Sequence, residues 1–88
     1  MSEYTEAVRE FYRVLGQSKK KHSLLVNTRM SSSQGNYVKI YKTREGMPKR
    51  LVIKVEEEDE ALCFRKATQE LITWSQNRQQ MEEQREAG

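Results

Sequence analysis

Tyr37-Val38-Lys39-Ile40-Tyr41-Lys42-Thr43-Arg44 alternates with a period of two between aliphatic residues and aromatic or basic ones. That period belongs to a β-strand with one buried face. Val38 and Ile40 then point into a core, while Tyr37, Lys39, Tyr41 and Thr43 point away from it. Upstream, Leu24, Val26, Thr28 and Met30 share one face of a first strand. Downstream, residues 50–55 form a third, with Leu51, Ile53 and Val55 expected inward and Arg50, Val52 and Lys54 outward.

The connections are short. Ser31-Ser32-Ser33-Gln34-Gly35-Asn36 reads as a flexible polar link long enough for a loose hairpin, and Glu45-Gly46-Met47-Pro48 as a second turn. Glycine tolerates the backbone of a turn, and proline removes a ladder donor where no pairing is wanted. Two short links between three strands give an antiparallel meander.

Helical periodicity flanks the strands. Tyr4, Val8, Phe11 and Leu15 fall on one stripe of an opening helix, with Ser2 as its N-cap and Gly16 as the residue that stops it. Residues 17–22 then form a linker. After the acidic run Glu56-Glu57-Glu58-Asp59-Glu60, a closing helix gathers Ala61, Phe64, Ala67, Leu71 and Ile72 into one arc, with Trp74 at its margin as a lid on the core. The fold class is therefore α+β. Its order is α-β-β-β-α, a three-stranded antiparallel sheet with two helices packed on one face and the other face open. Residues 1–78 make the single domain and residues 79–88 a polar, frayed tail.

Charge is sorted along the chain. Residues 23–55 carry seven Lys/Arg against one acid, a balance of +6; residues 1–22 carry +2, and residues 56–88 carry −5, within a total of +3. A localised basic surface on an open sheet face, with tyrosines interleaved, matches what a nucleic-acid backbone requires. Arg29, Lys39, Arg50 and Lys54 are the expected phosphate contacts, Tyr41 the stacking residue, and Lys19, Lys20 and Lys21 an extension of the basic surface at the sheet's edge.

Other chemistries have little material. One cysteine, Cys63, excludes an internal disulfide and a multi-cysteine zinc cluster, and His22 is the only histidine. The acidic run has no histidine or metal-ligand partner, and neither a Gly-rich phosphate loop nor a nucleophile motif is present. We expect no enzyme activity, no cofactor, no metal and no membrane insertion. The polar start Met1-Ser2-Glu3 is unlike an export signal, which sets a cytoplasmic expectation.

The order of elements resembles two RNA-binding families. The double-stranded RNA-binding domain begins its second helix with lysines, whereas this chain has Glu56 to Glu60 there, of the wrong sign. The Alu-domain-binding small subunits of the signal recognition particle are the better match. The chain is similar to them in its opening helix with Tyr4 and Phe11, in Lys21-His22-Ser23-Leu24-Leu25-Val26 entering strand one, in Gly35-Asn36, in Arg44-Glu45-Gly46 before a basic third strand, and in a closing helix with Phe64 and Leu71. That resemblance implies a ribonucleoprotein subunit that binds structured RNA of the Alu type as a heterodimer with a related small subunit, while the outward apolar residues Leu25, Val52 and Leu62 leave a homodimer open. The acidic junction and the lack of a basic tail depart from the pattern. Tyr37-Val38-Lys39-Ile40 is also similar to the purine-rich-element-binding repeat, which implies single-stranded nucleic acid as the alternative ligand. A protein-interaction adaptor, using the same cations toward an acidic partner, is the alternative from another class.

Overall fold

The structure, a computed structural model, describes residues 2–87, with side chains described through Arg78. Its elements run α1 (Glu3–Lys19), β1 (Leu24–Arg29), β2 (Asn36–Arg44), β3 (Met47–Glu57) and α2 (Glu60–Ala87). The three strands form one antiparallel sheet in the order β1-β2-β3. Both helices cover one face, and the α-β-β-β-α architecture is as the periodicity implies.

Local chemistry sets the helix ends. The Ser2 hydroxyl accepts the Thr5 amide at 3.2 Å, and Glu3 and Glu6 stand in the first turn of α1, where the dipole favours them. Asp59 plays the same part for α2, its carboxylate accepting the Leu62 amide at 2.8 Å. Gly16 does not stop α1. The buried stripe of Val14 and Leu15 continues past it to Ser18, so one more turn is helical and Lys20 becomes the C-cap. The linker before β1 is correspondingly shorter. The backbone of α2 continues through residues 79–87, where a frayed tail was expected; the side chains of that segment lie outside the described residues.

The core lies between the helices and the sheet. Phe11, Val38, Ile40, Cys63, Ala67 and Leu71 are fully buried at its centre. Phe11 meets Phe64 at 5.4 Å between ring centroids, and Tyr4 meets Phe64 edge-on at 5.9 Å, which fixes the start of α1 beside the start of α2. Trp74 packs against the core as expected and meets the buried His22 edge-on at 5.0 Å.

Two departures in β3 matter for function. The hairpin after β2 is tighter than Glu45-Gly46-Met47-Pro48, since Arg44 already pairs with Met47 and only Glu45 and Gly46 form the turn. Gly46 takes φ +77°, a conformation that favours glycine. Pro48 thus lies inside β3, which is an edge strand and tolerates the missing donor. Further along, Ile40 faces Ile53 but Tyr41 faces Leu51, so Val52 is an extra residue, a β-bulge. A bulge of one residue exchanges the faces of the residues before it, here as far as a second shift where Pro48 and Lys49 stand opposite Thr43. Leu51 and Arg50 therefore swap the sides expected of them, and Val52 packs on the core instead of facing outward.

Candidate nucleic-acid interface

The open face is ordered in rows across the sheet. Farthest from the β2–β3 hairpin stand Arg29, Tyr37 and Glu56; next come Asn27, Lys39 and Lys54; then Leu25, Tyr41 and Leu51. Lys49 follows, with its Nζ 4.6 Å from the Tyr41 ring centroid. Leu25 and Leu51 are 46% and 44% exposed. An aromatic-aliphatic row thus crosses the middle of the face, with cations on both sides of it.

Of the residues expected to bind RNA, Arg29, Lys39, Tyr41 and Lys54 share this face. Their environments differ. Arg29 donates from Nη2 to the Gln34 carbonyl at 2.8 Å and from Nε to the Gly35 carbonyl at 3.2 Å, and its Cζ lies 4.7 Å from the Tyr37 centroid. Its guanidinium therefore closes the β1–β2 loop. Lys54 pairs with Glu56 at 3.2 Å, an exposed contact of small energetic weight. Lys39 rests 4.5 Å from the Tyr37 centroid and has no acidic partner among the described residues.

Arg50 is not on the open face. It stands opposite Lys42, whose Nζ lies 5.8 Å from the Trp74 ring of α2, so both belong to the helix-facing side of the sheet. The Val52 bulge is the physical reason. Lys49 takes the place expected of Arg50 beside Tyr41. Sequence reading left Lys49 unassigned because a bulge within the apolar run Leu51-Val52-Ile53 changes no residue type and so leaves no periodic signal.

Lys19, Lys20 and Lys21 are exposed at the end of α1. Ser23, two residues on, accepts the Thr43 amide at 2.9 Å, which sets the lysine run beside the last residues of β2. It therefore lies at the hairpin end of the sheet, near Arg44, Lys49 and Arg50. The opposite end is acidic. There Glu56 to Glu60 join β3 to α2, and Tyr4 against Phe64 brings Glu3 and Glu6 to the same end.

The β1–β2 link is not a loose hairpin. The buried Asn36 side chain accepts the Ser31 amide at 2.8 Å and donates to the Glu58 carbonyl at 2.8 Å, bolting the loop to the β3–α2 junction. Ser31 closes the turn further, its carbonyl accepting the Gly35 amide at 3.0 Å and its hydroxyl the Gln34 amide at 3.1 Å.

Comparison of the chain with protein-family models, with curated proteins and with solved structures found no significant match. Within the described residues, no helix is long and apolar enough to cross a membrane, and no three His, Cys, Asp or Glu side chains are grouped to hold a metal ion. Cys63 is fully buried, and burial pushes its thiol pKa up, the opposite of what a nucleophilic cysteine needs.

Proposed function

We propose that this protein binds structured RNA through the open face of its sheet, in the manner of a small ribonucleoprotein subunit. One observation carries the reading: both helices lie on one side, and the uncovered side presents Lys39 opposite Lys54 beside the row Leu25–Tyr41–Leu51. Cations supply the phosphate attraction, and the aromatic-aliphatic row supplies contact area for the riboses. The resemblance in element order to the Alu-domain-binding subunits supports the same class of ligand, with dimerisation as part of that proposal.

The test is a titration of a fluorescent RNA stem-loop across a salt series. With about four to six phosphates neutralised, the log–log slope is expected at roughly −3 to −5. A variant carrying Lys39→Ala, Lys49→Ala and Lys54→Ala is expected to lose at least about tenfold in affinity and to flatten the slope by about 2–3. A flat salt dependence, or an unchanged variant, overturns the reading. A purified chain that is free of nucleic acid and complexes only an acidic protein selects the adaptor instead, a role that the exposed Leu25 and Leu51 also suit.

A further inference from the structure

A cluster of cations stands at the hairpin end of the sheet, beside the turn residue Glu45. No acid among the described residues pairs with Lys19, Lys20, Lys21, Arg44, Lys49 or Arg50, whereas Lys54, Lys66 and Arg13 each hold a glutamate. These free cations also come from both sides of the sheet. Lys49 belongs to the open face, Arg50 to the helix-facing side, and the lysine run to the end of α1 beside Thr43. The outer strands β1 and β3 are about 10 Å apart across β2, so the group spreads over more than one row of phosphates.

The tyrosines on the open face already hold cations. Tyr37 has Arg29 and Lys39 at 4.7 and 4.5 Å from its ring centroid, and Tyr41 has Lys49 at 4.6 Å. A base stacking on the cation-bearing face of either ring has to displace one of them. Clefts give unpaired strands no better path. Those at the β1–β2 loop, along β3 and α2, and between α1 and α2 all have glutamates in their walls, among them Glu56, Glu57, Glu70 and Glu10. A protein that tracks a single strand uses a positively charged groove with open aromatic faces. Here the charge is gathered at the end of the sheet, these clefts carry a net acidic lining, and the open-face tyrosines already hold cations.

Resting on the RNA reading above, we infer that the ligand is a paired stem gripped across the hairpin end of the sheet, with Lys19 to Lys21, Lys49 and Arg50 on its phosphates. Tyr37 and Tyr41 serve as seats that hold cations in place. In a stem the bases are turned inward and the phosphates outward, so a cluster of cations meets what the stem exposes. The acidic end, with Glu56 to Glu60, points away from the nucleic acid.

The experiment compares a perfect RNA stem with an unpaired homopolymer of equal length, in salt series, on three proteins. These are the unmodified chain, a hairpin-end variant (Lys19→Ala, Lys20→Ala, Lys21→Ala and Arg50→Ala) and Tyr41→Leu. All four hairpin-end positions are exposed, and far-UV spectra verify the fold of each protein, with Tyr41→Val as a second variant should Tyr41→Leu unfold. The unmodified chain is expected to prefer the stem, the hairpin-end variant to flatten the stem's log–log slope by about 2, and Tyr41→Leu, which unseats Lys49, to lose less than about fivefold on the stem. Equal or tighter binding of the unpaired strand, an unchanged slope, or a loss of about fivefold or more in folded Tyr41→Leu overturns the inference while leaving RNA binding intact. Binding of neither RNA by the unmodified chain overturns the RNA reading itself and this inference with it.

Discussion

Lys39 and Lys54 stand directly opposite each other in the β2–β3 ladder, with like charges on one face of the sheet. Such pairs destabilise a sheet, by about 0.2–1 kcal/mol, and salt relieves them. Lys39→Gln is therefore expected to raise stability slightly, by up to about 0.5 kcal/mol in low salt, with the gain fading near about 0.5 M salt. The same substitution is expected to weaken RNA binding. Urea denaturation at the two salt concentrations, beside one binding titration, checks both signs.

The bulge at Val52 separates two neighbours of similar chemistry. Leu51 is 44% exposed on the open face, while Val52 packs against the core. Leu51→Ala is expected to cost less than about 1 kcal/mol, and Val52→Ala about 1–2 kcal/mol despite removing fewer atoms. Without the bulge the order would be reversed. Denaturant midpoints of the two variants decide it.

Asn36 joins two connections that are 22 residues apart in sequence. Asn36→Ala removes its bonds to the Ser31 amide and the Glu58 carbonyl, and is expected to cost about 1–3 kcal/mol. In a domain of this size each kcal/mol lowers Tm by about 4–8 °C. Hydrogen exchange gives a local readout: the Ser31 amide should lose its protection first.

Cys63 gives the chain an alkaline weakness. Burial raises its thiol pKa, a nearby Glu57 backbone hydrogen bond pulls it down, and the Glu57 carboxylate raises it again, for a net upward shift. A folded pKa above the unfolded one means that the contribution is complete below about pH 8 and is lost as pH rises through the alkaline range. Between about pH 8 and pH 10 the unmodified chain should therefore lose stability faster than Cys63→Ala. Paired denaturation curves isolate the contribution of the thiol from that of the rest of the chain. The thiol should also resist alkylation at neutral pH until the protein unfolds.

Much of this architecture was legible in residue patterns, because period-two and period-3.6 spacing report directly which side chains are buried. Val38 with Ile40, and Phe11 with Leu15, are such cases. What could not be read depended on pairing between segments. Leu51-Val52-Ile53 is apolar throughout, so either register satisfies the pattern, and only the partner residues on β2 choose the one with Leu51 outside. Arg50 and Lys49 exchanged roles as a result. Gly16 misled for a related reason: a glycine near the end of a stripe signals a stop only when nothing beyond it is buried, and Ser18 is. Arg29 was placed on the correct face, but its employment by the Gln34 and Gly35 carbonyls belongs to a loop whose shape rests on Asn36.

The lengthwise sorting of charge, lysines beside the hairpin and glutamates where β3 passes into α2, makes the molecule a permanent electric dipole along its strands. In the field of any polyanion it feels a torque before contact, and it arrives hairpin-first. The rotational search that limits most encounters is thereby shortened, with the glutamate end trailing.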